Sequence, residues 1–219
     1  GKSKIVLYMV PSLSLMSQSI REWKNDSTED FIAFSACSDK GIGKRNNNDE
    51  TIVELTDLQY PATTDPSILS SEIKNADKSK MMVIFSTYQS IDVISQAQID
   101  YGMEEFDLII CDEAHRTTGA TLSGEDESNF VRIHNNEFVK GKKRLYMTAT
   151  PRIYGENAKN QADESDVSLA SMDNKDIFGE TFFYRGFGWA VENNLLNDYK
   201  VVVLSVDEQH VSQSIQNSI

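Results

Sequence analysis

F-D-L-I-I-C-D-E-A-H-R, residues 106–116, is the stretch that decides the fold. Its apolar run, residues 108–111, is followed at once by two adjacent carboxylates, Asp112 and Glu113. An uninterrupted apolar run that ends in acids is typical of a parallel strand buried on both faces of a sheet. Because ligands of open α/β sheets bind at the carboxyl ends of the strands, we expect the two acids at a binding site.

The composition indicates one acidic domain with enough apolar residues for a core. The chain has 219 residues, 39% of them hydrophobic, and a formal net charge of −13. This charge gives no global attraction to nucleic acid or to an anionic membrane, so any nucleic-acid contact has to be local. Cys37 and Cys111 lie in or beside apolar runs, which indicates buried reduced thiols and a cytoplasmic location. No apolar run has the length of a membrane span, so we expect no membrane partner.

Apolar runs and helical spacings alternate on both sides of the opening stretch. Strands are predicted at residues 4–11, 31–37, 81–86, 108–111, 144–147, 181–184 and 200–206. Helices are predicted at residues 13–23, capped by Ser12 or Ser14, and at 67–78, 91–101, 131–138 and 187–195. The polar segments 38–65 and 154–180 are predicted insertions, and residues 117–128 a loop. The alternation predicts an α/β fold with a doubly wound, mostly parallel sheet.

Four of the predicted strands end in short polar motifs. In chain order these are Pro11-Ser12, S-T-Y-Q-S at 86–90, D-E-A-H at 112–115 and T-A-T-P-R at 148–152. Phosphoryl transfer from a nucleotide needs a metal holder, a residue that orients the attacking water and a phosphate cradle. Asp112 suits the first role and Glu113 the second. An isolated Asp-Glu pair is more often a helix cap with a solvated neighbour, but the four ordered motifs favour phosphoryl transfer.

This order of motifs resembles the first RecA-like lobe of superfamily-two helicases and translocases, which are P-loop NTPases. The resemblance implies ATP and Mg²⁺ as cofactors, with Asp112 as the magnesium ligand and Glu113 as the residue that activates water. It also implies a catalytic role for His115, which in the family bridges toward the T-A-T motif. Thr148 and Thr150 of that motif are implied to lie at the nucleotide site.

The resemblance covers residues 4–152 and also implies where a nucleic acid binds. In the family, the motifs that follow the earlier strands grip the backbone of one nucleic-acid strand. The matching residues here are Pro11, Ser12, Thr87 and Gln89. Hydroxyls and backbone N–H groups at helix starts suit phosphates without reading the base sequence.

Two later stretches of sequence indicate a subgroup within this superfamily. S-M-D-N-K-D-I-F-G, residues 171–179, and G-W-A-V-E-N-N-L-L-N-D-Y-K-V-V-V, residues 188–203, resemble the end of the first motor lobe in helicase-like proteins of bacterial restriction enzymes. The resemblance implies a fragment of a helicase or translocase that couples Mg-ATP hydrolysis to movement on duplex DNA. It implies that residues 1–199 form the first lobe and that residues 200–219 lead to an absent second lobe. A nuclease or a methyltransferase is a candidate neighbouring domain.

The phosphate cradle of such a motor does not appear before the first motif. A P-loop must open a helix, whereas a predicted strand follows Gly1, Lys2 and Ser3 directly. The other candidate, residues 41–44, lacks the first glycine and the hydroxyl, and an asparagine run stands where a helix should begin. We therefore expect a sheet truncated at its N-terminus, with the P-loop upstream and the arginine finger downstream. The 219 residues alone are then expected to bind and hydrolyse nucleotide poorly.

Two other functions stay open. An RNA helicase of the same superfamily would have the same first lobe, because its contacts are to the backbone. A RecA-like domain without its P-loop could also be a non-catalytic interaction module. Asp112, Glu113 and His115 are too close in sequence to converge as a metal triad. The basic residues at 140–144 are interpreted as a solvated loop, and His134 as part of a helix face.

Overall fold

The computed structural model describes residues 4–37, 62–122, 128–164, 167–198 and 200. Its strands are β1 (Ile5–Val10), β2 (Phe31–Ala36), β3 (Ala62–Thr63), β4 (Met81–Thr87), β5 (Leu108–Cys111), β6 (Gly119–Leu122), β7 (Arg144–Tyr146) and β8 (Val167–Ala170). Within these residues, six parallel strands form the main sheet in the order β3-β2-β4-β1-β5-β7. β6 and β8 form a separate antiparallel pair.

The helices are α1 (Leu13–Asp26), α2 (Pro66–Asn75), α3 (Ile91–Ile99), α4 (Glu156–Glu164), α5 (Lys175–Phe178) and α6 (Phe187–Glu192). Within the described ranges, three short 3₁₀ turns occupy Tyr88–Ser90, Ala114–Thr117 and Arg132–His134. Among the described residues, no helix is long and apolar enough to cross a membrane. The parallel main sheet with its flanking helices confirms the predicted fold class.

β1 lies between β4 and β5 and is buried at every residue. Its side chains alternate between two apolar clusters, with Leu7 and Met9 in one and Tyr8 and Val10 in the other. A strand covered on both faces needs apolar residues throughout, which explains its unbroken apolar sequence. The centre of the sheet is therefore a rigid support for the residues that follow it.

α1 follows β1 after a two-residue connection and begins where the sequence predicts it. The Ser12 hydroxyl accepts a hydrogen bond from Leu15 N at 3.3 Å, which caps the helix. Met16 and Ile20 are buried against the sheet. The helix also brings Trp23 edge-on to Tyr8, with ring centroids 5.1 Å apart. The spacing of apolar residues in this stretch thus predicts both the helix and its buried face.

Asp107 ties together the starts of two adjacent strands. One carboxylate oxygen accepts from the backbone N–H groups of Lys4 and Ile5, at 2.8 and 3.2 Å. The other accepts from Lys142 Nζ at 2.7 Å, in the connection before β7. These hydrogen bonds, that to Lys142 first, lower the pKa of Asp107 to about 2. The carboxylate at the amino end of β5 is therefore neutralised by Lys142 and hydrogen-bonded through both oxygens.

The predicted helix at residues 131–138 is wrong, because a single 3₁₀ turn, Arg132–His134, is followed by further turns. The Asn135 side chain accepts from Glu137 N at 2.8 Å. Such a local side-chain bond competes with helical backbone bonding. Ile133, which is not part of the spacing that suggests a helix, is the fully buried residue of this turn.

Several segments predicted to be irregular contain short elements. Residues 154–180 include α4, β8 and α5, and residues 117–128 begin with β6. Residues 38–65 end with β3, and their remaining residues up to 61 lie outside the described part of the chain. β6 pairs only with the distant β8 among the described strands, so neither strand has a local partner that the sequence could reveal.

The predicted strand at residues 181–184 is also wrong. These residues form no strand, and Phe182 is 82% exposed. The predicted strand at 200–206 lies outside the described residues except for residue 200, as do both P-loop candidates.

The chain divides into two compact units, Gly1–Gly179 and Glu180–Ile219. The first unit contains the main sheet and the β6–β8 pair. In the second unit the Arg185 guanidinium lies over the ring of Trp189, 4.9 Å from its centroid. The division into a lobe of residues 1–199 and a segment that leads to a second lobe stays a prediction.

Candidate active site

The four strand-end motifs lie along one edge of the main sheet. In the parallel register, Val10 of β1 pairs with Thr87 of β4, and Met9 pairs with Cys111 of β5. Cys111 pairs in turn with Tyr146 of β7. The residues after these strand ends therefore emerge side by side at the carboxyl edge, which is where α/β sheets bind ligands.

Asp112 is held in place from several sides. Its backbone N–H donates to Met9 O at 2.9 Å, which continues the β1–β5 ladder. Its Oδ1 accepts from Glu113 N at 2.9 Å, and its Oδ2 accepts from the Tyr8 hydroxyl at 3.0 Å. The Tyr88 hydroxyl donates to its backbone carbonyl at 2.8 Å. The carboxylate is thus fixed in orientation, and each oxygen keeps acceptor capacity for a ligand.

Tyr8 is a site residue that sequence reasoning missed. Its side chain is 5% exposed and packs against Trp23 and Phe85, with ring centroids 5.1 and 5.5 Å away. Burial, and then the charge of Asp112, raise the pKa of Tyr8 above its usual value, so the phenol stays protonated and donates. A tyrosine inside a buried strand needs a partner for its hydroxyl, and this is the signal that could have identified it.

Glu113 has left-handed backbone angles, with φ 48° and ψ 45°. This conformation is unusual for a residue with a side chain and costs about 1–3 kcal/mol. It turns the chain sharply from β5 into the Ala114–Thr117 turn, where Ala114 N donates to Met147 O at 2.9 Å. The Glu113 side chain remains 39% exposed at the edge of the sheet.

His115 brings the D-E-A-H and T-A-T motifs together. Its Nδ1 lies 3.0 Å from Thr148 Oγ1, 3.4 Å from Thr150 Oγ1 and 3.3 Å from Glu113 Oε2. Thr150 N also donates to Thr148 Oγ1 at 3.1 Å. One ring nitrogen thus has three oxygen neighbours, so a change in any of them can redistribute its hydrogen bonds. The structure places the predicted catalytic and nucleotide-site residues in one cluster.

The motifs predicted to contact nucleic acid are joined to each other beside this cluster. Gln89 is exposed, and its side-chain amide donates to Pro11 O at 3.3 Å. Asn129, which sequence reasoning did not single out, donates to Gln89 O at 3.1 Å. The first of these contacts joins the residues that follow β1 and β4.

The two predicted hydroxyl contacts differ in their exposure. Ser12 is half-buried, and its oxygen caps α1 while its own proton remains able to donate to a phosphate. Thr87 is 5% exposed, and its Oγ1 lies 2.8 Å from Ser90 Oγ. The Thr87 side chain is therefore turned toward the protein, and its predicted contact with nucleic acid stays a prediction.

Three further groups, two basic side chains and one thiol, have structural roles. Lys142 pairs with Asp107, and the Arg144 guanidinium donates to Val139 O at 2.7 Å and Ile133 O at 2.8 Å. Cys111 is fully buried, which raises the pKa of its thiol to about 12. Such a thiol is a packed apolar group and not a nucleophile.

A magnesium ion fits the Asp112 carboxylate. Among the described residues, no group of three or more His, Cys, Asp and Glu side chains is arranged as a metal cage. Mg²⁺ rarely needs one, because it keeps several waters and binds through one or two carboxylates and the substrate phosphates. In the part of the chain that the structure describes, no lysine or arginine is ion-paired with Asp112, so its charge is available to a cation.

A parallel sheet with this cluster at its carboxyl edge defines the first RecA-like lobe of a superfamily-two motor. The chain belongs to the family described as "Type III restriction enzyme, res subunit", which matches residues 1–153.

Two solved structures of restriction enzymes are similar to most of the chain. The ATP-dependent Type ISP restriction-modification enzyme LlaBIII bound to DNA is 42% identical, with a TM-score of 0.71. The match covers 99% of this chain and 14% of that chain. A nuclease-deletion mutant of the Type ISP enzyme LlaGI in complex with a DNA substrate mimic is 39% identical over 90% of this chain and 14% of that one, with a TM-score of 0.65.

A viral relative is more distant. "Probable helicase A859L" of African swine fever virus (isolate Tick/Malawi/Lil 20-1/1983) is 30% identical over 205 residues, which is 91% of this chain and 19% of the viral protein. The chain thus spans a minor part of the proteins it resembles. Together the comparisons confirm the predicted helicase-like motor family and its RecA-like fold.

Proposed function

We propose that this chain supplies the first motor lobe of an ATP-driven translocase that moves on duplex DNA in a restriction system. The observation that supports it most directly is the contact of His115 Nδ1 with Thr148 Oγ1 at 3.0 Å. This contact joins the acids after β5 to the motif after β7. A motor needs such a link, because hydrolysis at one place has to change the structure at another.

In this proposal each residue of the cluster has a separate task. Asp112 binds Mg²⁺ through its carboxylate, oriented by Tyr8 and by Glu113 N. When bound, the metal neutralises negative charge on the phosphates of ATP. Glu113, partly exposed at the strand end, orients the attacking water. His115 transmits structural changes at the D-E-A-H motif to Thr148 through their hydrogen bond.

The same proposal includes the DNA-binding edge and the wider protein. Ser12 and Gln89 lie at adjoining strand ends and contact the phosphate backbone of DNA, with the buried Pro11 and Thr87 supporting them from inside. The two restriction enzymes with similar structures are complexes with DNA or a DNA mimic, which supports this partner. We further propose a P-loop upstream, a second lobe downstream, a nuclease or methyltransferase in the same protein, and a cytoplasmic location.

The decisive test uses Glu113→Gln in the full-length protein. The substitution keeps the size of the side chain and removes its charge, so nucleotide should still bind. DNA-stimulated ATP turnover should fall by at least about 10²-fold. Turnover is measured with duplex DNA and with RNA, and binding with a fluorescent ATP analogue. Glu105→Gln, at an exposed glutamate outside the cluster, is the matched control and should behave as wild type.

Three outcomes would contradict the proposal. Unchanged ATP turnover in Glu113→Gln would show that Glu113 does not orient the attacking water. Stimulation of the wild-type protein by RNA and not by DNA would favour an RNA helicase. Absence of ATP turnover in the full-length wild-type protein would favour a non-catalytic module.

A further inference from the structure

His134 lies in the Arg132–His134 turn, outside all four motifs, and both of its ring nitrogens are hydrogen-bonded. Nε2 lies 2.9 Å from Thr117 O, and Nδ1 lies 2.8 Å from the Tyr146 hydroxyl. A carbonyl oxygen can only accept, so Nε2 carries the proton. In the neutral ring Nδ1 then accepts from Tyr146, and the hydrogen-bond pattern assigns a single tautomer.

The two partners of His134 belong to the two segments that carry the cluster. Thr117 ends the turn that contains His115, and its own hydroxyl tightens that turn by donating to Ala114 O at 2.8 Å. Tyr146 ends β7, two residues before Thr148. Besides the backbone hydrogen bond from Ala114 N to Met147 O, the segments joined by His115 and Thr148 thus have a second side-chain connection through His134.

An aromatic side chain covers this second connection. Phe178 of α5 lies edge-on to both rings, with centroids 4.9 Å from His134 and 4.9 Å from Tyr146. Edge-on aromatic contacts stabilise such a pair beyond the area they bury. Burial also lowers the pKa of His134, which keeps the ring neutral and Nδ1 able to accept. Phe178 belongs to the same compact unit as the sheet.

We propose that His134 is a positioning residue of the motor, which holds the D-E-A-H turn and the end of β7 at the separation that the His115–Thr148 contact requires. The inference rests on the proposed function. In the described part of the chain, His134 makes no hydrogen bond to Asp112 or Glu113 and acts on them through the backbone. A displacement of about 1 Å at catalytic groups can reduce a rate by up to about 10²-fold, so a fixed separation matters.

The test uses two conservative variants of the full-length protein. Tyr146→Phe removes only the hydroxyl and keeps the ring against Phe178. His134→Gln keeps an amide N–H that can still donate to Thr117 O and loses the ring nitrogen that accepts from Tyr146. Each variant should lower kcat of DNA-stimulated ATP hydrolysis by about tenfold, with KM for ATP within about twofold of wild type. The kcat of the double variant should be no lower than that of the less active single variant, because both substitutions break the same connection.

Controls separate positioning from a general loss of folding. The concentration of competent protein is set by the stoichiometry of a bound fluorescent ATP analogue, and kcat is calculated on that basis. Tyr101→Phe is the matched control, because Tyr101 is 46% exposed and lies outside the cluster. It should leave kcat and KM unchanged.

Different failures point to different errors. If the wild-type protein has DNA-stimulated turnover and both single variants keep its kcat, the inference fails while the proposed function stands. Independent, multiplicative losses in the double variant would also overturn it, because they would show two separate roles. If the full-length wild-type protein has no DNA-stimulated turnover, the proposed function fails and the inference fails with it.

Discussion

β5 carries an aspartate at each end, and the two differ in what neutralises them. At the amino end, Asp107 accepts from two backbone N–H groups and is ion-paired with Lys142 at 2.7 Å. At the carboxyl end, Asp112 accepts from the Tyr8 hydroxyl and from one backbone N–H, without an ion pair among the described residues. The Asp107 carboxylate is neutralised by a residue of the fold. The Asp112 carboxylate is oriented by hydrogen bonds but can still bind a cation. The counter-charge, and not the residue type, separates a structural carboxylate from a site carboxylate.

Exchanging each aspartate for asparagine gives the largest expected contrast. In the full-length protein, Asp112→Asn should reduce Mg-dependent ATP turnover by at least about 10²-fold, because an amide is a poor magnesium ligand. Its free energy of unfolding should change little. Asp107→Asn should lower the free energy of unfolding and leave kcat near wild type. Turnover assays and denaturant unfolding of both variants check the contrast, and loss of turnover in well-folded Asp107→Asn would contradict it.

Tyr8→Phe should give an intermediate effect at the Asp112 end alone. The substitution keeps the ring against Trp23 and Phe85 and removes only the hydroxyl that orients the carboxylate. Loss of such a supporting partner typically weakens metal binding by about tenfold or more. The Mg²⁺ concentration for half-maximal turnover should rise accordingly. Tyr101→Phe is again the control, and an unchanged Mg²⁺ dependence in Tyr8→Phe would show that the hydroxyl is dispensable.

The smallest expected effect is a pH dependence of stability at the Asp107 end. The folded state lowers the pKa of Asp107 from 3.8 to about 2. A lowered carboxyl pKa stabilises the folded state above the unfolded value, and the stabilisation is lost as pH falls from about 4 to about 2. The difference in free energy of unfolding between wild type and Asp107→Asn should therefore shrink across this window. A difference that stays constant down to pH 2 would contradict the assigned pKa.

The sequence predicts the parts of this molecule whose signals are local. The unbroken apolar run before Asp112 predicts a buried strand, and Ser12 followed by apolar residues at helical spacing predicts α1. Both are confirmed, because a strand buried on two faces and a capped amphipathic helix each leave a pattern within a few residues.

The parts that could not be predicted depend on long-range contacts. Tyr8 and Asp112 are 104 residues apart in sequence, and His134 meets Thr117 and Tyr146 from a segment whose spacing resembles a helix. β6 acquires its pairing from β8 across the chain. A single sequence shows which residue types are present, but it does not show which distant residues lie close together in the folded chain. The predicted roles of the site residues therefore stay predictions, although the structure brings most of them together.

The left-handed backbone at Glu113 has a consequence for protein engineering. Glycine adopts φ near 48° without steric strain, and asparagine tolerates it better than glutamate does. A stabilisation campaign that scores only folding free energy would therefore replace Glu113 among its first choices. Under the proposed function it would gain thermal tolerance and remove the water-orienting carboxylate in the same step. Stability and turnover are thus opposed at this one residue, which any screen of this lobe has to assay separately.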